Sequence, residues 1–251
     1  MAFGIFVIGD EILSGRRQDK HFAKALEILH ARGLALAWAS YLGDERPRLV
    51  RALRDSLAGD DVVISFGGIG ATPDDHTRQA AAEALGVPLV EHPEAQALIA
   101  AHMASIGQPV TPERRRMGEL PRGAELIPNP YNRIPGFSLG RHHFLPGFPI
   151  MAWPMLEWLL DTHYRDLFGS GTEAARGMVV TGLNEGMLTP LLDAVEREFP
   201  GVRTWSLPRI EPEISFHYEI DLGVKGPEGL IDTAFARLRE GVQALGGQIK
   251  G

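Results

Sequence analysis

The 251-residue chain contains no cysteine, so disulfides and thiolate chemistry are excluded. It has no apolar run of membrane-spanning length and no visible signal peptide, which makes a cytoplasmic location the expectation, with no membrane partner. No Gly-Lys-Ser/Thr phosphate loop occurs, and Gly68-Ile69-Gly70-Ala71-Thr72-Pro73 starts like a dinucleotide fingerprint but has proline where the third glycine belongs. A serine-hydrolase nucleophile elbow is not expected. Positive charge is also scarce: 25 Lys and Arg against 32 Asp and Glu give a net charge of -7, which argues against general nucleic-acid binding. The one dense basic run, Arg114-Arg115-Arg116, reads as a solvated face.

What is present suits a soluble globular protein, with 44% hydrophobic and 23% charged residues and enough length for two modest domains. Three short apolar runs, Phe3 to Ile8, Leu34 to Tyr41 and Val62 to Phe66, read as strands. Between them lie two helical patterns. Asp19 is a plausible N-cap for a helix with Phe22, Leu26 and Leu29 on one face, ended by Gly33; Leu49, Val50, Leu53 and Leu57 mark a second, ended by Gly59. Strand and helix alternating through the first 86 residues indicate right-handed βαβ units, hence an α/β fold.

Each strand runs into glycine and carboxylates: Gly9-Asp10-Glu11, Gly43-Asp44-Glu45, and Gly67-Gly68-Ile69-Gly70 followed by Thr72-Pro73-Asp74-Asp75-His76-Thr77. In a parallel sheet these turns share the carboxyl edge, where open α/β folds bind ligands. The glycines would let backbone N–H groups approach an anion, and Pro73 suits the first turn of a helix whose N-terminus favours phosphate. Asp74 and Asp75 would repel a bare phosphate, so either a bridging Mg²⁺ accompanies the ligand or the carboxylates are simple caps.

Proline and glycine punctuate residues 121 to 149 as loops crossing between short strands, and a helix resumes from about Ala152 to His163, with Trp153, Leu156 and Leu160 on one side. His142 and His143 fall in one short strand and should point to opposite faces, which disfavours paired zinc ligation. The composition shift at 168–176 suggests a boundary between a domain spanning 1–168 and a small α+β unit spanning 176–251. That unit holds strand-like Met178 to Thr181, a helix from Asn184 or Glu185, Val202 to Leu207, the alternating run Glu213 to Leu222, and a closing helix over Leu230 to Leu245.

Gly9-Asp10-Glu11-Ile12-Leu13-Ser14-Gly15, Leu42-Gly43-Asp44-Glu45, the Gly67 to Thr77 string and Leu145-Pro146-Gly147-Phe148-Pro149 occur in the order found in the molybdopterin-binding domain shared by MogA, MoaB, MoeA and CinA. The chain resembles most the N-terminal region of CinA-type proteins. Thr181-Gly182-Leu183-Asn184-Glu185 resembles the KH-like unit that follows it. The resemblance implies a three-layer α/β/α domain with a mostly parallel sheet, plus the small C-terminal unit, binding a molybdopterin or nucleotide diphosphate. It implies catalytic roles for Asp44 and Asp75 and a metal held by Asp10, Asp44 and Asp75. The ligand would be held by Gly9, Asp10, Glu11, Ser14, Gly15, Gly67, Gly68, Gly70, Thr72, Asp74, Thr77, Arg133, Pro135, Gly136, Pro146 and Gly147. It also implies a homo-oligomer, and it leaves no room here for CinA's nicotinamide-mononucleotide deamidase domain.

The chain departs from the family pattern at Arg116-Met117, at Asn132-Arg133, where Gly-Thr is usual, and at Met151, where glutamate is usual. Arg133 could offer a bidentate phosphate contact. Three readings stay open: a pterin- or nucleotide-diphosphate-binding protein, a metal-dependent pyrophosphatase of the ADP-ribose type, and a non-catalytic oligomeric interaction module.

Overall fold

A computed structural model describes residues 2–170, 174–209 and 219–250. The chain divides into two compact units, Met1–Thr172 and Glu173–Gly251. In the first, β1 (Phe3–Ile8), α1 (Asp10–Leu13), α2 (His21–His30), β2 (Leu36–Leu42), α3 (Arg46–Leu57), β3 (Val62–Phe66) and α4 (Thr77–Leu85) alternate as the sequence periodicity requires. They are followed by β4 (Leu89–Glu91), α5 (Pro93–Ser105), α6 (Pro112–Arg116), β5 (Glu119–Pro121), β6 (Glu125–Ile127), β7 (Gly136–Leu139), β8 (His142–Leu145) and α7 (Pro149–His163).

The main sheet has the order β2-β1-β3-β8-β7-β6, parallel from β2 through β8 and antiparallel beyond. Its central strands are buried on both faces, as parallel strands covered by helices must be. Phe3, Ile5 and Val7 pack with Ile28, Leu29, Leu156 and Leu160 of α2 and α7, while Phe6 and Ile8 pack with Leu49 and Leu53 of α3 and Ala80 and Ala81 of α4. The result is a three-layer α/β/α domain. Truncating a fully buried leucine such as Leu29 or Leu53 removes about 2–5 kcal/mol.

Three expectations shift here. The buried stripe of α2 is His21, Ala25, Ile28 and Leu29, and Phe22 lies exposed. The N-cap of this helix is Lys20, not Asp19, but the Asp19 carboxylate, one residue earlier, accepts from the N–H groups of His21 (2.7 Å) and Phe22 (3.2 Å). The helix after the glycine turn begins at Thr77, not near Pro73, so Asp74 and Asp75 lie before it.

The second unit holds β9 (Ala174–Thr181), α8 (Glu185–Glu198), β10 (Arg203–Arg209), β11 (Glu219–Gly226), α9 (Glu228–Ala244) and β12 (Gln248–Lys250). Its sheet has the order β10-β11-β9-β12, antiparallel throughout. Met178, Val180, Ile220, Leu222 and Val224 face Leu188, Val195, Ile231 and Leu238 of the two helices. Asn184 caps α8, accepting from Met187 N–H at 3.0 Å. The alternating run from Glu213 lies partly outside the described residues; its end, Glu219 to Leu222, is strand.

Candidate functional site

The carboxyl ends of β2, β1 and β3 carry the three acidic turns side by side, as the parallel order requires. Above them opens a cleft of about 380 Å³, lined by Gly9, Glu11, Arg17, Asp44, Gly67 to Thr72, Asp74, Asp75, Met117 and Pro146 to Phe148. A smaller recess of about 130 Å³, lined mostly by Ile69, Met117, Ile134, Pro135, Phe148 and Met151, shares Gly70 and Pro146 with it.

The glycine turn has a one-sided hydrogen-bond pattern. Its carbonyls are all engaged from below: Gly67 O accepts from Thr77 Oγ1 at 3.1 Å and Gly68 O from Thr77 N at 3.0 Å. Ile69 O accepts from Arg78 Nη1 at 3.0 Å and Gly70 O from Arg78 Nη2 at 2.8 Å. The Gly67 N–H donates to Leu145 O, but the N–H groups of Gly68, Ile69, Gly70 and Ala71 have no partner among the described residues. Consecutive free amides in a glycine turn form a concavity suited to anions.

The two glycines are demanded by the chain's own geometry. Gly67 and Gly68 have φ of 107° and 69°. A Cβ at Gly67 would strike Ile8 O, and one at Gly68 would strike Thr77 Oγ1. The space a Cβ would take at either position is filled by the protein, so the turn itself requires glycine there. At the helix N-terminus, Thr77 is buried and its N–H is spent on Gly68 O.

Asp10 and Asp44 come together. Asp10 N–H donates to Asp44 Oδ2 at 2.8 Å and Asp44 N–H donates to Asp10 Oδ1 at 3.2 Å. One oxygen of each carboxylate remains without a protein partner among the described residues. Partial burial, together with the charges of Asp10, Glu11 and Asp74, raises the Asp44 pKa above the usual aspartate value.

Asp75 does not join them. Its Oδ2 accepts from both the N–H and the hydroxyl of Thr72, closing the 72–75 turn. Among the described residues no three histidine or carboxylate groups are placed to hold a metal, so the expected Asp10, Asp44 and Asp75 triad is not assembled.

Other expected ligand residues separate by position. Gly9, Glu11, Gly67, Gly68, Gly70, Thr72, Asp74, Pro146 and Gly147 line the cleft, and Pro135 lines the recess. Ser14 and Gly15 lie on the exposed end of α1, Thr77 is buried under the turn, and Gly136 is buried within β7, its Cβ space taken by Phe144 O. Arg133 is exposed in a left-handed conformation (φ 63°) and lines neither cavity, because Asn129 and Asn132 hold its loop from inside.

Arg17, Ile69, Arg78 and Phe148 were missed. Arg78 carries no sequence signal that separates it from a solvated helix residue, yet it is only 3% exposed. Against the expectation of no serine-hydrolase elbow, the sequence does contain one Gly-x-Ser-x-Gly string, Gly136-Phe137-Ser138-Leu139-Gly140. It forms no nucleophile elbow: Ser138 is buried within β7 and pairs across the ladder with His143, its Oγ 2.8 Å from Nδ1. His142 and His143 do point apart, to Ser56 Oγ at 2.9 Å and Tyr164 Oη at 2.6 Å.

These features define an α/β domain with a glycine turn of unpartnered amides at the carboxyl edge of its sheet. A sequence model of the probable molybdopterin binding domain matches residues 4–165, and the chain belongs to that family. It is 31% identical to a protein of Pyrobaculum calidifontis over 94% of both chains. It is 33% identical to a CinA-like protein of Anaeromyxobacter dehalogenans over 67% of this chain and 42% of that one, so it spans about two fifths of that relative's length. The crystal structure of CinA from Thermoplasma acidophilum, a protein of unknown function, superimposes with a TM-score of 0.58 and 27% identity, covering 64% of this chain and 98% of the other. No helix among the described residues is long and apolar enough to cross a membrane.

Proposed function

We propose that the first unit binds a pterin or nucleotide diphosphate, with the diphosphate on the Gly68 to Ala71 amides and the ring in the recess walled by Met117, Phe148 and Met151. The observation that carries this is the turn itself: four carbonyls held inward and four N–H groups left unpartnered in a cleft wall. The apolar recess that shares Gly70 supports a flat uncharged ring attached to the anion. The Mg²⁺ belongs to this proposal. A phosphate about 4 Å from a carboxylate is opposed by about 4 kcal/mol at an effective dielectric of 20, more than one charge-assisted hydrogen bond supplies. Asp10 and Asp44 would hold the cation through their unengaged oxygens, as Mg²⁺ held by one or two carboxylates plus ligand phosphates requires. When bound, it would neutralise phosphate charge.

Calorimetry with molybdopterin, AMP, ADP-ribose, NAD and FAD, each with and without Mg²⁺, tests this. Binding of at least one diphosphate, strengthened by Mg²⁺, is expected; no binding at millimolar ligand contradicts it. A second reading, metal-assisted pyrophosphate hydrolysis, is favoured by the Asp10–Asp44 pair beside the turn. It predicts AMP from ADP-ribose above a metal-only blank. The second unit we propose as KH-like, and the protein as at least a homodimer, testable by light scattering against 27.4 kDa.

A further inference from the structure

The first turn of α4 buries a guanidinium directly behind the glycine turn. Arg78 is 3% exposed, yet among the described residues it forms no ion pair, and its guanidinium donates to two carbonyl oxygens, Ile69 O at 3.0 Å and Gly70 O at 2.8 Å. Burying a charge without a carboxylate partner is costly, and chains usually neutralise such groups or replace them. An arginine stays charged even so. Asp75 and Glu119 act on it only through space, and the carboxylate of Asp75 is already engaged by Thr72.

The guanidinium's geometry explains its contacts. Two Nη groups of one planar fork take two successive carbonyls, a span that a single ammonium cannot cover with the same rigidity. Holding those carbonyls inward fixes the peptide planes of Ile69–Gly70 and Gly70–Ala71, and therefore fixes where the N–H groups of Gly70 and Ala71 point. The Thr77 contacts do the same for the Gly68 and Ile69 N–H groups. The charge has no carboxylate in contact, only Asp75 and Glu119 through space, and on the far side of the turn it offsets the field of Asp44, Glu11 and Asp74 that line the same cleft.

We propose that Arg78 is the positioning residue of the anion site: its fork holds the Ile69 and Gly70 carbonyls away from the cleft, and its buried charge selects a diphosphate on the opposite face of the turn. This rests on the binding reading above, and it names the group that makes the turn an anion site without touching the ligand.

The test uses the full chain, ADP-ribose and inorganic pyrophosphate as probes, and the variants Arg78→Lys and Arg78→Met. Arg78→Lys keeps the charge but loses the fork; Arg78→Met keeps most of the bulk but loses both. Expected is at least a tenfold loss of pyrophosphate affinity in Arg78→Met, an intermediate loss in Arg78→Lys, and a shallower dependence of affinity on salt in Arg78→Met alone, a readout that loop loosening without a charge role would not move. A folded Arg78→Met protein that binds within twofold of the parent, with the same salt slope, overturns the proposal. Should both variants fail to fold, the parent decides. Its Arg78 guanidinium N–H resonances should resist exchange and shift during a pyrophosphate titration with the midpoint seen by calorimetry, and resonances unchanged to saturation overturn the proposal. Parent protein that binds neither probe removes the binding reading and this inference with it, whereas normal parent binding with an indifferent Arg78→Met removes the inference alone.

Discussion

Asp10 and Asp44, 34 residues apart in sequence, each accept the other's backbone N–H at the carboxyl ends of β1 and β2. The exchange locks two neighbouring turns to each other and brings two carboxylates together, of which Asp44 lines the cleft. The charge of Asp10, with those of Glu11 and Asp74, adds to the burial that raises the Asp44 pKa.

The pair therefore predicts a reversal of sign. In metal-free buffer, Asp44→Asn should strengthen ADP-ribose binding by about tenfold, because one repelling charge is gone. With Mg²⁺ present the same variant should bind more weakly than the parent, because a cation ligand is gone. Calorimetry under both conditions checks it, and the same direction of change in both would exclude a shared cation.

At the glycine turn, Gly68→Ala should cost about 1–3 kcal/mol, since a side chain there adopts a left-handed backbone and meets Thr77. The cost should shrink when Thr77→Ala is also present, giving a non-additive double-mutant cycle in urea unfolding. Strict additivity would mean that the two residues do not press on each other.

The recess walled by Met151 predicts a split between ligands. Met151→Glu should weaken ADP-ribose binding by about tenfold while changing pyrophosphate affinity far less, because only the ring-bearing ligand enters the recess. Equal losses for both probes would place the ring elsewhere.

Burial lowers the pKa of His142 to about 4 and of His143 to about 3. The unfolded chain takes up protons near pH 6.5 and the folded chain does not, so this contribution to stability is full above pH 6.5 and is lost as pH falls toward 4 and 3. The loss is on the order of 1.4 kcal/mol per pH unit for each histidine. Urea unfolding between pH 7 and 5.5 should show the slope, and His142→Gln should reduce it; an unchanged slope would remove His142 as a contributor.

Strands β1 and β3 and helix α3 were legible because apolar runs and a clear 3.6 period leave few alternatives. Helix α5 was not, since Ala95, Leu98, Ile99, Ala101 and Met103 spread around its axis and mark no single face. The position of the site was legible from three glycine-and-acid turns that a parallel sheet must place together. Its inner workings were not. Whether Asp75 reaches a metal or folds back on Thr72 depends on one turn's closure, and whether Arg78 is exposed or buried depends on where Thr77 starts a helix. Neither leaves a trace in residue spacing.

The most direct test follows the backbone amides of Gly68, Ile69, Gly70 and Ala71 in amide-resolved NMR while ADP-ribose and Mg²⁺ are added to the full chain. If these N–H groups hold the diphosphate, their resonances shift together, downfield, with the dissociation constant measured by calorimetry, and the Gly67 N–H, already bonded to Leu145 O, moves less. Saturable binding that leaves those four resonances where they were would contradict the account.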